Sequence, residues 1–118
     1  MGVLETAIER FAEACRRRGI EAHRGVVARP LTPAEAIGRG NEDLAIKRGR
    51  EVIVEAVFEG ARGQAFTDCP TPFCGRLGEV LELPLTDARN RAIVTAVINA
   101  VMRREGLAEG TVHCREGA

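Results

Sequence analysis

The sequence is poor in aromatic residues and has no excess of either charge. It contains no tryptophan and no tyrosine, and its 17 basic residues balance 17 acidic ones. Proteins that bind nucleic acids use aromatic side chains to stack on bases and a basic face to meet phosphates. These two absences therefore disfavour nucleic acid as a partner.

Long apolar runs are also missing. No stretch approaches the roughly 20 apolar residues that a transmembrane helix needs. The first residues are amphipathic and acidic, unlike those of a secretory signal peptide. We therefore expect a soluble cytoplasmic protein with no membrane partner, in which the 4 cysteines are free thiols or metal ligands and not disulfides.

The sequence does contain enough apolar material for one core. With 118 residues, of which 45% are hydrophobic, the chain is expected to form a single domain over residues 1–118. Periodicity, glycine and proline predict these elements in chain order: a helix over 3–18, a strand within 20–29, a short helix from Thr32, a hairpin of strands 50–59 and 64–68 around a turn at 60–63, a loop over 69–75, a short helix over 77–83 and a long helix over 87–104. This order indicates an α+β domain whose three-stranded antiparallel sheet has its helices packed on one face.

Cysteine and histidine residues at two points of the chain could together hold a transition metal such as zinc. Cys69 and Cys74 flank a proline-containing loop, and His113 and Cys114 lie near the end of the chain. Three thiolates and one imidazole form a ligand set that structural zinc sites use. The spacing of Cys69 and Cys74 is wider than in tight zinc motifs, so unligated thiols are the simpler interpretation.

Cys69 could instead be a reactive thiol, with His113 as its base. Asp68 precedes it, however, and a neighbouring carboxylate raises the pKa of a thiol by repelling the thiolate. That shift opposes nucleophilic catalysis. A thiol-dependent enzyme is therefore an alternative and not the leading interpretation.

A polar stripe runs along the most apolar helix of the sequence. Arg91, Thr95 and Asn99 recur at helical spacing among valine, isoleucine and alanine. A buried amide needs hydrogen-bond partners, so Asn99 either holds a nearby loop backbone or forms the polar rim of a ligand cleft. Thr67 and Asp68, at the end of a predicted strand, either form a turn or belong to the same binding site.

Short motifs along the chain carry a resemblance to a known family. They are, in order, Pro30–Gly38, Gly63–Asp68, Asn90–Ile93, Ile98–Val101 and Thr111–Cys114. In this combination the chain resembles the N-terminal domain of the heavy-metal-chelation family, whose chelating role is itself a conjecture. The resemblance implies an enolase-N-terminal-like α+β fold. It also implies a larger Rossmann-like domain after this one, with a ligand or metal site between the two.

By this resemblance, Thr67, Asp68, Asn99 and the His113–Cys114 pair match motifs of the family. The chain ends at Ala118, about where the Rossmann-like domain would begin. We therefore expect a non-catalytic binding or accessory domain. It would pair with a separately encoded Rossmann-like subunit, or with a second copy as a homo-oligomer, to form a ligand or metal site. A metal-binding protein that uses the cysteine and histidine ligands is the alternative.

Overall fold

The computed structural model describes residues 3–32, 34–35 and 52–106; predictions for other positions, including His113 and Cys114, lie outside these residues. Within them the chain forms these elements in order: α1 (Val3–Arg18), β1 (Gly25–Pro30), β2 (Val52–Phe58), β3 (Ala61–Thr67), β4 (Phe73–Arg76), α2 (Leu77–Leu81) and α3 (Ala88–Arg104). The architecture is α+β, as the sequence predicts. None of the described helices has the length and apolar content that a bilayer crossing requires.

α1 forms where the helical periodicity predicts it. Phe11 and Cys15 are buried on its apolar side, and arginines fill its last turn, near the negative end of the helix dipole. Gly19 follows with a φ of 72°, a left-handed conformation that glycine reaches without strain. Burial raises the pKa of the Cys15 thiol, so this cysteine behaves as a small packing residue.

The sheet has 4 antiparallel strands in the order β3-β2-β1-β4, not the three that the sequence predicts. The additional strand is β4, which pairs with Gly25–Ala28 of β1. The predicted loop over 69–75 is therefore wrong from Phe73 onward. Pro70 and Pro72 restrict the backbone only up to that point, and every residue of β4 has an N–H available for pairing.

β2 and β3 form the predicted hairpin, but its turn is shorter than the 60–63 assigned from the sequence. Phe58 pairs directly with Ala61. Glu59 and Gly60, between them, have φ angles of 49° and 87°. Consecutive left-handed residues are typical of a type I′ turn, whose twist matches that of the two strands.

Glu59 is an unusual residue for a left-handed position, which glycine, asparagine and aspartate usually occupy. Its carboxylate binds the guanidinium of Arg24, just before β1, and Arg104 Nε at 2.8 Å. The hydrogen bond with Arg24 is the main cause that holds the pKa of Glu59 below its ordinary value, and Arg104 adds to this effect. The turn is thereby tied both to the start of β1 and to the end of α3.

Gly63 lies inside β3, at the place where α3 crosses the sheet. A Cβ atom added there would collide with the backbone nitrogen of Ala100 and the backbone oxygen of Ala96, and would lie 2.7 Å from the carbonyl carbon of Asn99. The helix therefore rests directly on the backbone of the strand. Gly63 serves this close packing and not the turn that the sequence suggests.

The described helices pack on one side of the sheet, here called the proximal face. The main core combines buried residues of α1, α2 and α3 with alternate residues of the strands. α3 is the central element, since every residue from Ala92 to Val101 is buried. The predicted packing of helices on one face is confirmed for this part of the chain.

The opposite side of the sheet is here called the distal face. The antiparallel register places on it the alternate strand residues that point away from α3: Gly25, Val27 and Arg29 of β1, Ile53, Glu55 and Val57 of β2, Arg62, Gln64 and Phe66 of β3, and Cys74 and Arg76 of β4. One part of this face is buried, whereas the other meets solvent.

Candidate functional site

The predicted site residues at the end of β3 have separate roles. Thr67 is buried, and its Oγ1 accepts a hydrogen bond of 2.9 Å from the backbone N–H of Cys69. Asp68 and Cys69 are exposed, and Cys69 Sγ donates to Asp68 Oδ1 at 3.4 Å. Thr67 therefore closes the turn after β3, and Asp68 faces solvent beside the thiol.

Asp68 also controls the chemistry of that thiol. Its hydrogen bond, followed by its negative charge, raises the pKa of Cys69 above the ordinary value of 9.0. The direction predicted from the sequence is confirmed. A thiol that stays protonated at neutral pH is a poor nucleophile, so the geometry works against a thiol-dependent enzyme at this position.

The polar residues of α3 bind the backbone of the chain itself. Arg91 Nη1 donates to the carbonyl oxygen of Leu85 at 2.8 Å, and Asn99 Nδ2 donates to that of Gln64 at 3.0 Å. In a hairpin closed by Phe58 and Ala61, the register points the Gln64 carbonyl away from β2. Asn99 thus provides the hydrogen-bond donor for a backbone carbonyl at the edge of β3. This resembles the structural role proposed from the sequence, in which Asn99 holds a nearby loop backbone.

Thr95, between these two residues on the stripe, is fully buried. Its Oγ1 has no hydrogen-bond partner in the described part of the chain. An unpartnered buried hydroxyl lowers stability because it gives up its hydrogen bonds to water. The stripe therefore faces the interior of the fold at this point, and the ligand-cleft role of Arg91 and Asn99 stays a prediction.

The predicted metal ligands are only partly described. Cys69 and Cys74 are both exposed free thiols; Cys69 follows β3, and Cys74 lies on the distal face opposite Val27. Among the described residues, no group of three or more histidine, cysteine or acidic side chains is close enough to hold a metal ion. His113 and Cys114 lie outside those residues, so the four-ligand site stays a prediction.

An open depression separates the loop after β3 from the start of α3. It is lined by Cys69, Pro70 and Thr71 on one side and by residues 86–89 on the other. Asp87 caps α3 by accepting a hydrogen bond of 2.9 Å from the Arg89 N–H, and its Oδ2 lies 2.9 Å from Arg89 Nη2. These contacts lower the pKa of Asp87. The charges of the depression are thus already paired with each other.

The exposed part of the distal face carries the feature that sequence reasoning missed. Val27 and Val57 are 49% and 38% exposed and are direct register partners on β1 and β2. Arg62 of β3 and Cys74 of β4 extend the same row on either side, and both are exposed. We call Arg62, Val57, Val27 and Cys74 the valine row. The signal available in the sequence was the pair Ile53 and Val57, two apolar residues on the face of β2 opposite to that of Val54.

Around Ile53 and Glu55 of β2, by contrast, the distal face is closed to solvent. Leu31 and Ile53 are each 4% exposed and pack with Phe66 in a second, smaller core. Glu55 is 3% exposed, and its Oε2 accepts a hydrogen bond of 3.0 Å from Gln64 Nε2. Along β2, therefore, a carboxylate is buried while the valine two residues later is exposed, the reverse of the usual preference.

Comparisons with protein-family models, curated proteins and solved structures found no match for this chain. The resemblance to the heavy-metal-chelation family, and the enolase-N-terminal-like fold that it implies, therefore stay expectations based on the sequence motifs. The function has to be argued from the surface of the molecule.

Proposed function

We propose that this chain is a non-catalytic binding domain that pairs with another protein chain through the valine row. The observation that carries the proposal is the exposure of Val27 and Val57 side by side. Strands of an antiparallel sheet that face water normally alternate apolar residues with polar ones. Two adjacent β-branched side chains left in solvent mark a surface that gains free energy when it is covered.

The proposed role is non-catalytic because the candidate chemical groups are occupied or deactivated. Asp68 keeps the Cys69 thiol protonated. Thr67, Arg91 and Asn99 are hydrogen-bonded to backbone atoms of the same fold. Thr67 holds the loop after β3, Arg91 holds the connection before α3 and Asn99 holds the edge of β3, which are structural contributions.

The kind of partner follows from the sequence. The resemblance to a domain that precedes a Rossmann-like domain supports a separately encoded Rossmann-like subunit as the partner, with a second copy of this chain as the other candidate. A ligand or metal site would then form where the two proteins meet. Cys74, exposed at the end of the valine row, is the described metal-ligand candidate that lies on this surface.

Position-specific photocrosslinking in cells tests the proposal. Benzoylphenylalanine is placed at Val27 or Val57 and, as a control, at Arg10, which is exposed on α1. The expected result is one adduct of the same mass from both valine positions and none from Arg10. The captured protein, once identified and purified, should bind the wild-type chain and not the Val27→Asp variant. Equal adducts from all three positions, or none, contradict the proposal.

Metal binding is the second candidate, because Cys69, in the connection between β3 and β4, and Cys74, in β4, are both exposed free thiols. Elemental analysis of protein purified without a metal-affinity tag tests it, with Cys69→Ser and Cys74→Ser variants as comparison. A stoichiometric metal that both substitutions remove supports this function. Absence of metal, or a metal content that the substitutions leave unchanged, ends it.

A further inference from the structure

We infer that the surface that covers the valine row is acidic around an apolar centre, and that it belongs to a different protein and not to a second copy of this chain. The inference rests on the proposed function, since it assumes that the row is a docking surface. It adds the chemistry of the partner, which the charges around the two valines determine.

Each end of this surface carries an arginine that has no acidic partner among the residues that the structure describes. Arg62, on β3, lies opposite Val57, and Arg76, on β4, lies opposite Gly25, two residues before Val27 on the same face. Both side chains are exposed, and neither forms an ion pair with a carboxylate of the described residues. The exposed valines are therefore flanked by positive charge on both sides.

The other charges nearby are already compensated. Arg29 forms two contacts with the carboxylate of Glu35, at 2.8 and 3.0 Å, and this pairing lowers the pKa of Glu35 to about 2. Arg24 is bound to Glu59. Among the described residues, Arg62 and Arg76 are therefore the charges near the valine row that no opposite charge compensates.

Glu55, the acidic residue that the described strands place on the distal face, cannot supply a negative charge to a second copy of the chain. Glu55 is 3% exposed, and its Oε2 is bound by Gln64 Nε2. A second copy that packed face to face on the valine row would therefore bring two Arg62 and two Arg76 side chains around the same apolar centre. Like charges at an interface oppose association, whereas carboxylates placed around an apolar centre would favour it.

Two synthetic helical peptides test this inference directly. They have the same length and the same leucine face, but one carries glutamate and the other lysine at all polar positions. Binding is followed by the methyl NMR signals of Val27 and Val57. The expected result is that the glutamate peptide shifts these signals and the lysine peptide does not. The Arg62→Glu/Arg76→Glu double variant should bind the glutamate peptide with an affinity about tenfold lower than that of the wild type.

Arg103→Glu is the matched control, because Arg103 is an exposed arginine in the last turn of α3, on the proximal side of the sheet. It should leave the affinity for the glutamate peptide unchanged. Equal binding of both peptides at the two valines overturns the acidic partner but leaves the docking surface intact. In the photocrosslinking experiment, an adduct of twice the mass of the chain overturns the inference of a different protein and indicates a homodimer. Shifts with neither peptide also overturn it.

Discussion

On the proximal face of the sheet, α3 rests on the bare backbone of Gly63, and every neighbouring strand residue is small or deeply buried. On the distal face, the same strands present Val27 and Val57 to solvent between two arginines that have no acidic partner in the described part of the chain. The two faces of one sheet therefore have different tasks. The first supplies most of the stability by close packing, and the second keeps apolar surface available for a partner, surface that contributes little to the stability of the isolated chain.

The largest difference between the faces is expected for glycine substitutions. Gly63→Ala forces a methyl group into the backbone of α3 and should lower the free energy of unfolding by about 3 kcal/mol or more. Gly25→Ala is the control on the distal face, where the nearest atom to the added Cβ is the Gly75 carbonyl oxygen at 3.9 Å. It should change stability by less than about 0.5 kcal/mol. Urea unfolding of both variants decides the matter, and equal losses would remove the distinction between the faces.

The same valine-to-threonine change should separate the faces along a single strand. Val54→Thr places a hydroxyl in the proximal core, where the side chain is fully buried, and should cost about 2 kcal/mol. Val57→Thr leaves the new hydroxyl in contact with water and should cost less than about 0.5 kcal/mol. Thermal and urea unfolding measure both. A Val57→Thr variant as unstable as Val54→Thr would mean that the distal face is not open to solvent.

Two buried threonines sharpen the description of the proximal face. Thr95→Val removes a hydroxyl that has no hydrogen-bond partner among the described residues, and it should raise the free energy of unfolding by about 1 kcal/mol. Thr67→Val is the opposite case, because it removes the acceptor for the Cys69 N–H and should lower that free energy by about 1 kcal/mol. Urea denaturation at equilibrium measures both changes. If both variants lose stability equally, Thr95 Oγ1 has a partner in solution.

The smallest effect is on the ionisation of Cys69. Asp68→Asn removes the carboxylate whose hydrogen bond and charge raise the pKa of this thiol, so the pKa should fall toward 9.0. Alkylation by iodoacetamide should then begin at lower pH in the variant than in the wild type, because the thiolate is the reacting form. Mass spectrometry of the Cys69 peptide as a function of pH measures this. An unchanged pH profile would show that Asp68 does not control the thiol.

Local sequence patterns were sufficient for the two long helices. Helical periodicity predicts 3–18 and 87–104, and the structure has Val3–Arg18 and Ala88–Arg104, with Asp87 as the cap of the second. Both signals arise within one segment of chain, so that no knowledge of its neighbours is needed. The hairpin was predictable for the same reason.

Features that depend on distant parts of the chain were not predictable. Gly63 looks like a turn residue because glycine serves turns and close packing equally, and only the position of α3 decides between them. β4 is a strand because it pairs with the edge of β1. The prolines just before it suggest a loop, and nothing in the segment itself indicates that pairing. The exposure of Val57 and the burial of Glu55 on one strand depend on which half of the distal face is covered.

Alkylation of Cys74 in living cells shows directly whether a partner covers the valine row. Cys74 is exposed at the end of the valine row, and Cys69, which is also exposed, provides an internal reference outside that row. The reaction of each thiol with N-ethylmaleimide is compared between cells and purified protein. The account predicts that Cys74, relative to Cys69, reacts more slowly in cells, where the row is covered by its partner. The same ratio of the two rates in cells and in purified protein would contradict it.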